Sequence, residues 1–127
     1  LLWSLHAAYA FIPLGMVLIA ASYWLDDLTL STAQHSILVG AIGAMILSMM
    51  ARVSLGHTGR ALNPLKIMSL AFLLIIVAGL LRSLGVWLAS EIDLLSLAAI
   101  GWILAYLIFA LAYWPVLSRA RIDGKAG

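Results

Sequence analysis

Cysteine is absent from this chain of 127 residues, so it holds no disulfide and no thiolate metal ligand. Charge is scarce as well. Only 9% of residues are Asp, Glu, Lys or Arg, against about 25% in a soluble domain, which excludes an ordinary water-facing surface. The net charge of +2 comes from basic residues at the ends of apolar runs, with no basic stripe, which argues against nucleic acid as a partner. Pro and Gly do not dominate, which excludes a disordered chain. There is no Walker pattern for nucleotide phosphates. No Ser/His/Asp arrangement and no pair of carboxylates within an apolar run supplies hydrolytic machinery. No basic n-region or small-residue cleavage site marks a signal peptide. The chain opens on Leu1, already inside an apolar run, and is expected to be a piece of a longer membrane protein.

What the chain does have is length of apolar sequence. Leu1–Leu25, Leu28–Ala51 and Leu94–Ser118 carry no Asp, Glu, Lys or Arg, and Ile67–Ser90 is broken only by Arg82. About 20 apolar residues at 1.5 Å each cross the roughly 30 Å hydrocarbon layer of a bilayer. The expected fold is therefore an all-α membrane protein of four antiparallel transmembrane helices over residues 2–25, 31–53, 65–90 and 94–117. Residues 118–127 form a basic tail that is expected to fray. Pro13 interrupts the first span, where neighbouring helices must satisfy the freed carbonyl. Ser31 or Thr32 is the expected N-cap of the second span. In that span Ser36, Gly40, Ala44 and Ser48 recur every four residues, with Gly43 beside them. That spacing makes a ridge of small side chains on which another helix can close.

The links after spans one and three are acidic (Asp26, Asp27, Glu91, Asp93). The link after span two carries Arg52, Arg60 and Lys66, and the tail carries Arg119, Arg121 and Lys125. By the positive-inside rule both ends of the chain are expected in the cytoplasm.

Polar groups are costly in lipid, so the few present are the candidates for chemistry. His6 lies in the half of span one nearer the basic side, and His35 in the opposite half of span two. Their depths differ by roughly 20 Å at 1.5 Å per residue, which excludes both from one haem iron. His57 lies beyond span two at nearly the expected depth of His6, so a shared site within the chain would be His6 with His57. Each histidine also admits a plainer reading, as an interhelical hydrogen-bonding residue. Met45, Met49 and Met50 offer soft sulfur, but with no Met-x-Met pattern they read as core filling. Arg52, Gly56, Gly59 and Arg60 have two readings: an anion site built from backbone N–H groups and guanidinium forks, or charges that only set topology. Arg82 opposes the positive-inside bias. Snorkelling to the interface or an ion pair with Asp26, Asp27, Glu91 or Asp93 would compensate it, the pair being favoured over a ligand or gating role.

The stretch His35-Ser-Ile-Leu-Val-Gly-Ala-Ile-Gly-Ala-Met45, running on to Met50-Ala-Arg-Val-Ser-Leu-Gly-His-Thr-Gly-Arg60, resembles the NnrS family, as does the opening Leu2-Trp-Ser-Leu-His6-Ala-Ala-Tyr9 with Ile12-Pro-Leu14. These are multi-pass proteins of the bacterial inner membrane, described as containing haem and copper and linked to nitric oxide metabolism and nitrosative stress. The four spans correspond to the last third of such a protein. The resemblance implies that His6, His35 and His57 match histidines of the family pattern and are the candidate metal ligands. Haem and copper are the implied cofactors, and nitric oxide or a related small molecule is the implied ligand. Arg52 or Arg60 would steady a haem propionate. The lipid bilayer and the remaining spans of the full-length protein are the expected partners. A different class of function, a permease or channel with Arg82 and the histidines along a polar path, fits Pro13 and the small-residue ridge.

Overall fold

The computed structural model describes residues 2–87 and 93–124. It is all-helical, with no strand among the described residues. Four helices are long and apolar enough to cross a membrane: α1 (Leu2–Ala21), α2 (Leu30–His57), α3 (Ile67–Leu84) and α4 (Leu94–Leu117).

Helix faces and ends follow from side-chain spacing, caps and packing. In α1, Ser4, Ala8, Phe11, Gly15 and Leu18 are buried. Their alternating spacing of three and four lays one stripe against the bundle. The N-cap of α2 is Thr29, not Ser31 or Thr32. Its hydroxyl accepts the N–H of Thr32 at 3.1 Å. The shift has a packing cause: Leu28, before the cap, is buried with Ala33 and Leu18, which staples the helix entry to α1. The other end of α2 runs on to His57, one turn past the expected residue 53. Gly59 stops it, at φ +72°. Arg60 N–H returns to the Leu55 carbonyl at 2.9 Å and Gly59 N–H to Gly56 at 3.2 Å, the paired bonds of a Schellman cap. Helix α3 ends at Leu84 and tightens into a 3₁₀ turn, Gly85–Trp87. The expected continuation to residue 90, and Glu91, lie outside the described residues.

Contacts between the helices give an up-down-up-down order. Against α1, α2 runs antiparallel: Ser4 meets Ser48, Phe11 meets Gly40 and Gly15 meets Ile37. Gly40 meets Gly79 of α3 and Gly43 meets Ile75, again in descending order. Gly85 and Gly101 place α3 against α4 at Leu94 and Ala78. Helices α2 and α4 run parallel, with Tyr106 donating to the Gly43 carbonyl at 2.9 Å. Helices α2 and α3 thus form the short diagonal, with α1 and α4 at the outer corners. Ser36, Gly40, Ala44 and Ser48 are all buried, Gly40 against both α1 and α3 and Ser48 against α1. Residues Ser36–Gly43 are a π-helix. A π turn takes more than four residues and an α turn fewer. A four-residue spacing therefore drifts one way through the π segment and back through the α segment, which keeps the ridge in line.

The diagonal closes because glycine removes side chains there. A methyl group at Gly79 would lie 2.8 Å from the Gly40 Cα, whereas one at Gly40 would overlap the Phe11 ring. Backbone cannot yield as a ring can. Gly79→Ala is thus expected to cost about 1–3 kcal/mol, the range for an overpacked core, in thermal unfolding of the detergent-solubilised protein. A Phe11→Leu background should relieve Gly40→Ala but not Gly79→Ala. Equal relief of both would contradict the backbone contact.

Helix α4 begins at Asp93, whose carboxylate accepts from the Leu95 and Ser96 N–H groups at 3.1 Å each and from the Ser96 hydroxyl. These bonds, the Ser96 hydroxyl first, hold the Asp93 carboxyl below its ordinary range. The sign follows: the cap is present above the ordinary carboxylate titration and is lost as pH falls through the lowered value. Asp93→Ala is expected to speed amide exchange at Leu95 and Ser96 at neutral pH, with the centre of α4 unchanged. Unaltered exchange at those two amides would remove the cap.

Candidate functional site

His6 and His35 are held in the same way. His6 Nδ1 lies 2.8 Å from the Leu2 carbonyl, and His35 Nδ1 lies 2.6 Å from the Ser31 carbonyl. A carbonyl oxygen only accepts, so Nδ1 carries the proton in both rings. The Nε2 lone pair is left free, and Nε2 has no partner among the described residues. A backbone bond that fixes the tautomer and the ring is the usual support of a metal-binding imidazole. His57 ends α2, is exposed and has no such tether among the described residues.

Register settles how far apart they stand. Ser4 faces Ser48, so His6 lies at the level of Ile46. His35 and His57 lie eleven residues from that level in opposite directions along α2, roughly 16 Å toward His57 at the α-helical rise and less toward His35, where the π segment rises more slowly. The structure therefore does not bring His6 and His57 together. The cause is the length of α2, which overshoots the start of α1 by about two turns. Among the described residues no three His, Asp or Glu converge, and each histidine offers one ligand at its own depth.

The surroundings of the two tethered rings differ. His6 shares a pocket of about 450 Å³ with Leu5, Tyr9 and Met45. The sequence singles out Met45 only as one of three clustered methionines. Its place beside His6 depends on the α1–α2 register, which no local pattern states. His35 is half-buried and immediately precedes the π segment. The next residue, Ser36, is fully buried, and its hydroxyl has no hydrogen-bond partner among the described residues.

The segment Arg52–Arg60 is largely the last turns of α2 and its cap. Thr58 Oγ1 donates to the Ser54 carbonyl at 2.7 Å. Arg60 donates to the Val116 carbonyl at 3.3 Å, where a cation complements the negative end of α4. Arg52 is exposed, two turns back along α2. Beside Gly59 lies a carboxylate of the chain itself: a methyl group at Gly59 would sit 2.8 Å from the Asp123 carboxyl carbon. Arg121 grips Asp123 bidentately, at 2.9 and 2.6 Å. Ile122 N–H returns to the Thr58 carbonyl at 3.3 Å. Through Gly124 the tail is thus folded back on the α2 cap, where fraying was expected.

Of the four partners expected for Arg82, three lie among the described residues, and none of the three pairs with it. Among the described residues the salt bridge is Arg121 with Asp123, and Asp26, Asp27 and Asp93 make none with Arg82. Glu91 lies outside the described residues. Arg82 is half-buried and lines a pocket between α2, α3 and α4 that also includes Val39 and Trp102.

The family model for the NnrS protein matches residues 1–121. Neither a curated protein nor a solved structure matches the chain. With a match over nearly its whole length, set on four helices long and apolar enough to span a bilayer, the chain belongs to the NnrS family.

Proposed function

We propose that this chain forms part of a haem- and copper-binding protein of the bacterial inner membrane that acts in the response to nitric oxide. Family membership supports a membrane protein of the NnrS kind, linked to nitric oxide. The observation that carries the metal reading is the shared state of His6 and His35. Each sits within a span with Nδ1–H engaged by the carbonyl four residues back and Nε2 free. That donor chemistry fits an axial imidazole or a copper ligand.

The two rings take different roles in this reading. His6 has the Met45 thioether in its pocket, a soft partner suited to Cu(I). His35 has no sulfur beside it in the sequence and would hold haem through its free Nε2. Haem, when bound, offers an iron at which a diatomic ligand binds. The chain's own contribution is to fix the two imidazoles at separate depths, His35 half-buried and His6 exposed beside Leu5, Tyr9 and Met45. Arg60 is engaged with the end of α4 and is assigned to that role rather than to a propionate. The clustering of Arg52, Arg60, Lys66, Arg119 and Arg121 toward one face, opposite Asp26, Asp27 and Asp93, supports a cytoplasmic location for that face.

An absorption spectrum of the purified protein in detergent, oxidised and reduced, with metal analysis, tests this. A Soret band is expected. His35→Ala should lose it, His6→Ala should lose copper and keep haem, and His57→Ala should keep both. Full haem content in His35→Ala, or a wild-type protein with no iron and no Soret band, would overturn the assignment. Solute flux in proteoliposomes without bound haem would replace it with the permease reading.

A further inference from the structure

Arg82 is a guanidinium on a membrane-spanning helix with no counter-charge among the described residues. It lies in the last turn of α3, near the acidic end of the bundle. The pocket it lines has a volume of about 380 Å³, within the range of small-molecule sites. Apart from Arg82 and the Trp102 indole, the walls are aliphatic: Val39, Leu95, Ala99 and Ile103 among them. From Leu95 to Ile103 the α4 wall descends eight residues, about 12 Å. One leaflet of hydrocarbon is about 15 Å deep. The pocket is thus cationic at its mouth and greasy along a length close to that of a lipid chain.

The opening is sideways. Leu95 and Ile103 are each 58% exposed, so the pocket gives onto the lipid-facing side of α4. Among the described residues, Asp93 at the start of α4 is engaged by the first turn of its own helix and makes no ion pair with Arg82. We propose that this pocket is a phospholipid site: Arg82 takes the phosphate of an anionic phospholipid, and one acyl chain lies along Ala99 and Ile103 toward Trp102. A planar guanidinium fork matches two phosphate oxygens. It is also the group whose burial demands an anion, because an uncompensated charge at this depth is costly. The second acyl chain stays in bulk lipid, which accounts for a pocket that is only half enclosed. No histidine lines the pocket.

Native mass spectrometry of the detergent-purified protein, titrated with dioleoyl phosphatidylglycerol, dioleoyl phosphatidylcholine, oleate or inorganic phosphate, tests the proposal. One phosphatidylglycerol is expected to bind at least fivefold more tightly than phosphatidylcholine. Arg82→Gln should abolish that preference and Arg82→Lys should keep part of it. Ala99→Trp, which fills the pocket without touching the charge, should lower phosphatidylglycerol binding at least fivefold. Should Arg82→Gln fail to fold, Ala99→Trp decides alone. Undiminished phosphatidylglycerol binding in either variant would overturn the site. Oleate binding more tightly than phosphatidylglycerol would replace the phospholipid with a fatty acid. Competition by inorganic phosphate at equal concentration would reduce the site to one for a small anion.

Discussion

The close approach of α2 and α3 at Gly40 and Gly79 fixes everything else in this bundle. Two backbones meet there with no side chain between them, and the Phe11 ring of α1 covers both. Lipid gives helices no hydrophobic reason to associate, so association depends on contact of this quality. Once Gly40 is set against Phe11 and Gly79, sliding α2 by one residue would bring a side chain into the gap. The register of three helices follows from that single exclusion. The depth of every polar group on α2 follows in turn. Ser48 reaches Ser4 at 2.9 Å, Tyr106 reaches the Gly43 carbonyl, and the histidines are spread over the thickness of the bundle.

Within that frame the chain satisfies its polar groups locally. Ser22, Thr58 and Ser83 return their hydroxyls to carbonyls three or four residues back, and His6 and His35 return Nδ1 the same way. This is the cheapest route where water is missing, since it needs no second helix. It also leaves a specific residue of chemistry: the imidazoles keep one free nitrogen each. Among the described residues, the buried hydroxyls of Ser36 and Tyr113 are the exceptions, with no hydrogen-bond partner. Arg82, half-buried within a span, makes no ion pair among the described residues. Unpaired polar groups stand out in lipid because nothing there masks their cost.

The membrane fold was legible from charge-free length alone, because hydropathy over about 20 residues has few other outcomes. Helix ends were less so. Thr29 caps α2 because Leu28 has a tertiary pocket beside Leu18, a fact absent from the local pattern. The Arg52–Arg60 string shows two glycines and a basic pair, read along the chain as an anion site or as charges that set topology. Its role as a helix cap rests on the positive φ of Gly59, and the return of Asp123 onto it is a tertiary contact. The same holds for depth. Counting residues from each span's own middle set His6 and His57 nearly level, whereas the glycine contact carries α2 past the start of α1 by about two turns. That Met45 lies beside His6, and that Arg82 opens onto a pocket, are products of register and could not be read along the chain.

The lack of cysteine makes the register directly measurable. Ser4→Cys with Ser48→Cys, and His6→Cys with His57→Cys, can each be introduced with no competing thiol and oxidised in native membranes. The structure requires that the first pair cross-link readily and the second remain reduced. A disulfide joining positions 6 and 57, or none joining 4 and 48, would show that α2 sits elsewhere on α1 and would displace every depth assigned here.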